Sequence, residues 1–191
     1  MTADARVLQF PTAVGVGDYG RFSRELSDDE LAGCFFFTDD DRVRIAVRRS
    51  EINRLGFALQ LGTVRYLGRF LENPAEVPAS VLGWTARELA VALSVSLVEY
   101  GQGRTRFDHQ VEICAAYGYR PFDTAGVERE IVGWLQARAW VSAESQRALF
   151  ARAAEHLIGL RVLLSGHSTL WRLGSASRLA RASAERRLGA T

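Results

Sequence analysis

The hydrophobic pattern is densest between Arg48 and Leu71, and the rest of the chain is read outward from there. On a helix at about 100° per residue, Ile52, Leu55, Leu59 and Tyr66 fall on one stripe, and Phe57, Leu61 and Val64 fall on roughly the opposite side. A helix apolar on two sides must pack on two sides, so this one is predicted to be central. Between the stripes Arg54 and Arg65 recur at a separation of about 16 Å along one edge.

Other helices are predicted on either side. Ser27-Asp28-Asp29-Glu30 has the spacing of a capping box and predicts a short helix to about Phe35. Thr38-Asp39-Asp40-Asp41 reads as a second cap, with three solvated carboxylates at a positive helix end before Arg42–Val47. Phe35, Phe36 and Phe37 are predicted core anchors between these helices. After the central helix, the Glu72–Pro78 break reads as a linker, with Pro78 in the first turn of a helix carrying Val81, Leu82, Leu89 and Val91 and ending near Leu93. A short helix over Leu97–Tyr100 follows, then helices over about Arg104–Tyr117, Asp123–Trp140, Ala143–Gly159 and from about Ser168 to Leu188. Their predicted inward residues are Phe107 and Val111 with Cys114 or Ile113, then Val127, Ile131, Trp134 and Leu135, then Leu149, Phe150, Leu157 and Ile158. The fold class is all-α: a compact multi-helix assembly with helix-turn-helix-like subdomains. Its predicted parts are a flexible N-terminal segment (1–26), a first helical subdomain (27–73) and a second (78–191) ending in a basic helix. Gly15-Val16-Gly17-Asp18-Tyr19-Gly20 spells G-x-G-x-x-G, but Pro11 separates it from the preceding apolar run and no strand–helix alternation follows, so it is assigned to the mobile segment.

Composition adds a direction to this picture. The chain has 191 residues, 48% of them hydrophobic, enough for one large domain or two small ones. All 24 basic residues are arginine, whose planar fork suits phosphate. Net charge is only +2, but residues 1–145 hold 16 arginines against 20 acids, whereas residues 146–191 hold 8 against 2. Cys34 and Cys114 are too far apart in sequence and too few for a zinc site or a disulfide framework, and read as buried free thiols. No apolar run reaches the length of a membrane span and no signal peptide opens the chain, so a soluble cytoplasmic protein is expected, with no membrane partner.

Catalytic chemistry finds no pattern. His109, His156 and His167 lack metal-ligand spacing, and no nucleophile elbow, phosphate loop or paired carboxylates occur; catalytic residues, metal and cofactor are all expected to be none. What does recur is arginine at helix starts or edges: Arg48, Arg49 and Arg54 with Asn53; Arg104 and Arg106; Arg120; and Arg172 through Arg187. Arg104 and Arg106 stand at the positive end of their helix, where a phosphate would serve as partner. Thr105, Arg106 and His109 form a cluster with two readings, a backbone phosphate contact or a hydrogen-bonded structural histidine.

The run Asn53-Arg54-Leu55-Gly56-Phe57-Ala58-Leu59-Gln60-Leu61, followed by Arg65-Tyr66-Leu67-Gly68-Arg69-Phe70-Leu71, closely resembles the N-terminal domain of the replicative, cointegrate-forming transposases of the Tn-three type. Further matches follow in order: Leu-Ser-x-x-Glu-Leu at Leu26 to Leu31, Thr105-Arg106 with His109 and Ile113, Gly118-Tyr119-Arg120-Pro121-Phe122, and Leu164 through Ser168-Thr169-Leu170. Leu67 stands where a proline is common, and Ser165-Gly166-His167 lacks the proline often found before the serine. The resemblance implies a helical region binding double-stranded DNA at the transposon's terminal inverted repeats, ahead of a much larger catalytic region that this chain, stopping at Thr191, is expected to lack. With the arginine edges, it makes Arg48, Arg49, Asn53, Arg54, Arg65, Arg69, Thr105, Arg106, His109, Arg120 and Arg172 the candidate DNA contacts. Asn53, Gln60 or the edge of the last helix would read bases, while Arg54 and Arg65 have the alternative of buried salt bridges with acids such as Glu88 or Glu112. The alternative function is a regulatory or interaction fragment, or a decayed remnant, pairing with a full-length transposase; a homodimer is the other protein partner left open. A nucleoid-associated bacterial location accompanies the DNA reading.

Overall fold

The computed structural model describes residues 19–71, 73–74, 76–92, 96–142 and 144–188. Every regular element among them is a helix, and the only extended pairing is an isolated bridge between Arg120 and Val162. They divide into two compact units, one formed by Arg21–Gly118 and the other by 119–188 with Tyr19 and Gly20.

The first unit is built on α3 (Glu51–Leu67), which packs against α1 (Asp28–Cys34), α2 (Asp39–Ala46), α4 (Ala79–Glu88), α5 (Val98–Gln102) and α6 (Thr105–Tyr117). Both predicted stripes pack inward: Leu55 and Leu59 join Leu31, Phe35, Val81 and Ala86 in one core cluster with Ile52 and Tyr66 partly buried against it, and Phe57, Leu61 and Val64 are fully buried. Ser50 caps α3 by accepting from the Asn53 amide, and Gly68 ends it at a φ of 69°, a left-handed turn that favours glycine. Two interior glycines let aromatic rings lie against the helix backbone: a Cβ on Gly56 would meet the Tyr100 ring at 2.6 Å, and one on Gly62 the Phe35 ring at 2.1 Å. Both predicted capping boxes form, Ser27 with Glu30 and Thr38 with Asp41.

Several expectations are corrected here. The linker at Glu72–Pro78 does not separate the compact units, because α4 buries Val81 and Ala86 in the same cluster as α3. The predicted division into 27–73 and 78–191 therefore gives way to one at Gly118, the left-handed residue that ends α6 at a φ of 72°. The segment predicted to be flexible through residue 26 is packed over 19–26: Tyr19 and Leu26 are buried, and Phe22 stacks on Tyr66 with ring centroids 5.5 Å apart. Gly15, Gly17 and Asp18 of the glycine pattern lie outside the described residues. On α6, Phe107 and Val111 face solvent while His109 and Ile113 are inside, and on α1–α2 Phe36 is exposed where Phe35 and Phe37 are buried. Helix α4 stops at Glu88, before a left-handed Ala90.

The second unit contains α7 (Val127–Val141), α8 (Gln146–Gly159) and α9 (His167–Leu188), each packed on the other two. Val127, Ile131 and Leu135 of α7 and Leu149, Phe150, Leu157 and Ile158 of α8 are buried as predicted, while Trp134 is half-buried and stacks on His156. Helix α7 starts four residues later than expected because Gly126 adopts a φ of 94°. Tyr19 closes this core: its ring lies 5.0 Å from Phe150 and its hydroxyl donates to the Ser165 carbonyl at 2.8 Å.

Candidate nucleic-acid interface

The candidate contacts fall into both units, and their surroundings sort them. Arg48 precedes α3 and folds back over the Phe57 ring, 4.0 Å from its centroid, with its Nη2 2.5 Å from the Glu112 carboxylate; its side chain is only 8% exposed. Phe57 is met edge-on by His109 from its other partner helix, at 5.2 Å. Arg65 reaches α2, where Nη2 donates to both oxygens of Asp41 at 2.9 and 3.0 Å, and Tyr117 donates to the same carboxylate at 2.6 Å. Burial pushes the Asp41 carboxyl up, but the Tyr117 hydroxyl, Arg65 and the Thr38 amide together outweigh it and hold the group below its ordinary value. Asp41 is thus buried, not one of three solvated carboxylates. Burial likewise pushes the Tyr117 hydroxyl up, as do its bond to Asp41 and that carboxylate's charge.

His109 is 7% exposed and belongs to a polar seam between α3, α5 and α6. Gln60, 2% exposed, donates from Nε2 to the Tyr100 hydroxyl at 2.9 Å and to the Arg106 carbonyl at 3.1 Å, and accepts from Gln110 at 2.9 Å. The Arg106 carbonyl can only accept, which fixes the Gln60 amide orientation. The Tyr100 hydroxyl then has its proton free for Nδ1 of His109, 3.0 Å away. Burial first, and then the Arg48 charge, hold His109 below the ordinary histidine range, so it sits in this seam as a neutral acceptor. Burial likewise pushes the Tyr100 hydroxyl up to about 12. This geometry gives four of the candidates a protein role: Gln60 and His109 are buried in the seam, Arg65, partly exposed, is paired with Asp41, and Arg48 is paired with Glu112.

The acids named as salt-bridge partners are engaged, but by other arginines. Glu88 takes Arg42, whose Nη2 lies 2.5 Å from its carboxylate, and Glu112 takes Arg48. Arg54 stays half-exposed beside Glu51 at a loose 3.6 Å, with its Nε buried and lacking a hydrogen bond among the described residues. Arg49 is exposed, and Asn53 and Arg69 are half-exposed. At the start of α6, Arg104 is solvated beside Asp108 at 3.9 Å, Thr105 is half-buried, and Arg106 lies over the Phe107 ring at 4.4 Å. Their placement against the helix dipole is eased locally by Asp108 and Phe107.

In the second unit, Arg120 is held by its backbone: its amide donates to the Arg161 carbonyl at 2.9 Å and its carbonyl accepts from Leu163 at 2.8 Å, leaving an exposed side chain 3.9 Å from Glu130. Arg172, Arg178 and Arg186 of α9 are exposed, and none has a carboxylate partner among the described residues. Arg181 differs, donating from Nη1 to the carbonyls of Ala139 and Ser142 at the end of α7. Among the described residues no group of histidines, cysteines and acids is placed to hold a metal ion, and no helix is long and apolar enough to cross a membrane. Cys34 and Cys114 are both free, and burial pushes the Cys34 thiol up to about 11.

A family of known domains, described as a domain of unknown function (DUF4158), matches residues 12–177. The chain belongs to the DUF4158 family. It is also 34% identical over 172 residues to the transposase for transposon gamma-delta of Escherichia coli K12, a match covering 90% of this chain and 17% of that protein. The transposase for transposon Tn501 of Pseudomonas aeruginosa is 36% identical over 97 residues, 50% of this chain and 10% of its own. That for transposon Tn21 of Escherichia coli is 37% identical over 97 residues. The resemblance to Tn-three type transposases is therefore established as homology, and the DUF4158 chain spans less than a fifth of the length of these curated relatives.

Within this DUF4158 fold, several motif residues have structural work. Gly56 and Gln60 of the Asn53–Leu61 run receive Tyr100, Arg65 anchors α2 through Asp41, and the Gly118–Phe122 motif pairs its backbone with 161–163. The seam residues Tyr100 and Gln110 were missed in the sequence. The available signal was Gln60 itself, a polar residue set between two apolar stripes of a central helix.

Proposed function

We propose that this chain binds double-stranded DNA at the terminal inverted repeats of a transposon, and that it positions those ends without cutting strands itself. One observation carries the reading: α9 presents three arginines, Arg172, Arg178 and Arg186, exposed and without a carboxylate partner among the described residues, unlike Arg24, Arg42 and Arg65, which are drawn into ion pairs. Charged groups left free on one helix are available to phosphate, and arginine binds phosphate by a two-pronged contact. The homology to a transposase for a transposon supports the same assignment. In unit 1 the exposed Arg49, with Asn53, Arg54, Arg69 and Arg106, completes the set of contacts that remain available; Arg120 adds one in unit 2.

The test is an anisotropy titration of the full chain against the terminal-repeat duplex flanking its coding gene and a scrambled duplex of the same composition. The repeat is expected to bind at least tenfold more tightly. The logarithm of affinity should fall linearly with that of salt, and Arg172→Ala should lower the slope by about one phosphate contact. Equal affinity for both duplexes, or no binding at low salt, overturns the reading.

A further inference from the structure

Helix α9 is 22 residues long, about 33 Å, and its two sides differ in kind. One side is packed: Leu170, Leu173 and Ser177 are buried, and Arg181 is tied to the end of α7. The other side carries Arg172, Leu179 and Arg186 at heptad separations, so the three line up with the leucine midway and the arginines about 21 Å apart. Leu179 is 66% exposed, an apolar side chain held out between two cations. Two of the exposed residues between the arginines, Ala176 and Ala180, are short and leave room for a flat surface to come close to the helix.

We infer that α9 is the helix that enters the major groove, with Leu179 reading a thymine C5-methyl and Arg172 and Arg186 gripping phosphates on either side; this rests on the DNA-binding reading above. The major groove is about 12 Å wide and admits one α-helix, and the thymine methyl is the apolar feature on its base edges. A leucine held at the middle of the helix meets that methyl, while arginines two turns to either side reach the flanking strands. Charge selects DNA over a second copy of the helix. Any twofold pairing centred on Leu179, parallel or antiparallel, sets arginine against arginine, whereas a polyanion satisfies both. Arg178, another exposed arginine on this helix, adds to the same field.

The experiment uses the full chain and the terminal-repeat duplex with each thymine replaced in turn by uracil, which removes only the methyl. Wild type is expected to lose about three- to fivefold at one or two positions, the scale of one buried methyl group. Leu179→Ala should bind the thymine duplex weaker by a similar factor and show no further loss with uracil. Arg172→Ala and Arg186→Ala should weaken thymine and uracil duplexes equally and each lower the salt slope. Leu179 is a surface residue, and circular dichroism should show an unchanged fold for its variant. A Leu179→Ala protein that keeps the thymine preference, or a wild type with none, overturns the inference while leaving repeat-over-scrambled binding intact. A change in sedimentation state with unchanged DNA affinity overturns it in favour of self-association. Failure of the wild type to prefer the repeat at all instead removes the DNA reading on which the inference rests.

Discussion

Substituting Gly62 by alanine sets two opposing effects against each other on the central helix. In an exposed helix interior the change favours folding by up to about 1 kcal/mol, since alanine loses less backbone freedom. Here the new Cβ would lie 2.1 Å from Cδ1 and 2.3 Å from Cε1 of Phe35, against roughly 3.5 Å for ordinary carbon contact. The ring must retreat by more than an ångström, yet Phe35 is fully buried and its carbonyl accepts from the Trp84 indole at 3.2 Å. Overpacking a filled core costs about 1–3 kcal/mol, and a rigid aromatic ring belongs in the upper half of that range. Gly62→Ala is therefore expected to destabilise by about 1–2 kcal/mol net. Gly83, inside α4, has nothing within 4 Å of its Cβ position, so Gly83→Ala should stabilise by about 0.5–1 kcal/mol. Urea unfolding followed by hydrogen exchange of α3 and α4 peptides should separate the two midpoints by about 1 M. Phe35→Leu combined with Gly62→Ala should be more stable than the sum of the single changes, with a coupling of at least about 0.5 kcal/mol. Equal midpoints for the two alanine variants, or strict additivity in the pair, would refute the argument that the Phe35 ring occupies the place of a Gly62 side chain.

Asp41→Asn removes the carboxylate shared by Arg65 and Tyr117; with Arg65 still 18% exposed, the expected cost at neutral pH is about 2–3 kcal/mol by chemical denaturation. Asp41 is held below its unfolded value, so its contribution is fully present above that value and disappears as pH falls through the lower folded one. Wild type should therefore lose more stability than Asp41→Asn between neutrality and about pH 3, and parallel profiles would contradict the assignment. Tyr100→Phe takes away the hydroxyl that joins Gln60 to His109 and should cost about 1–2 kcal/mol, with an altered His109 NMR titration as its local sign. His109 itself should charge only at a pH below the usual histidine range in the folded wild type, stability being kept above the unfolded value and lost on acidification; an ordinary titration would refute its enclosure.

The parts of the fold written in local spacing were legible: the two apolar faces of α3, the capping boxes at Ser27 and Thr38, and the buried stripes of α7 and α8. What escaped was non-local. Arg65 finds Asp41 on another helix and Arg48 finds Glu112 on a third, and neither pairing leaves a periodic trace. The inward face of α6 was misassigned because it is polar. His109 is buried, and Gln110 half-buried, with Tyr100 and Gln60 as their partners, and the apolar Phe107 and Val111 are left outside. The same blindness affected the candidate interface, where a solvated arginine and a paired one look alike in sequence. Arg172 and Arg48 are distinguished only by what the fold brings to them.

Tyr19 gives the chain an unusual order of assembly. Its slot in the α8–α9 core is made by Phe150, Ser165 and His167, residues synthesised long after it, and the whole of Arg21–Gly118 intervenes. A ribosome making this protein exposes everything the first unit needs before the partners of Tyr19 exist. The tyrosine can therefore be captured only after the helices of the second unit have been made, by closing a loop that contains the first unit. Because loop-closure entropy grows only with the logarithm of length, that late capture is thermodynamically mild, but it makes the second unit dependent on a residue synthesised ahead of the whole first unit. A fragment beginning at residue 119 would carry all three helices and still lack a piece of its own core.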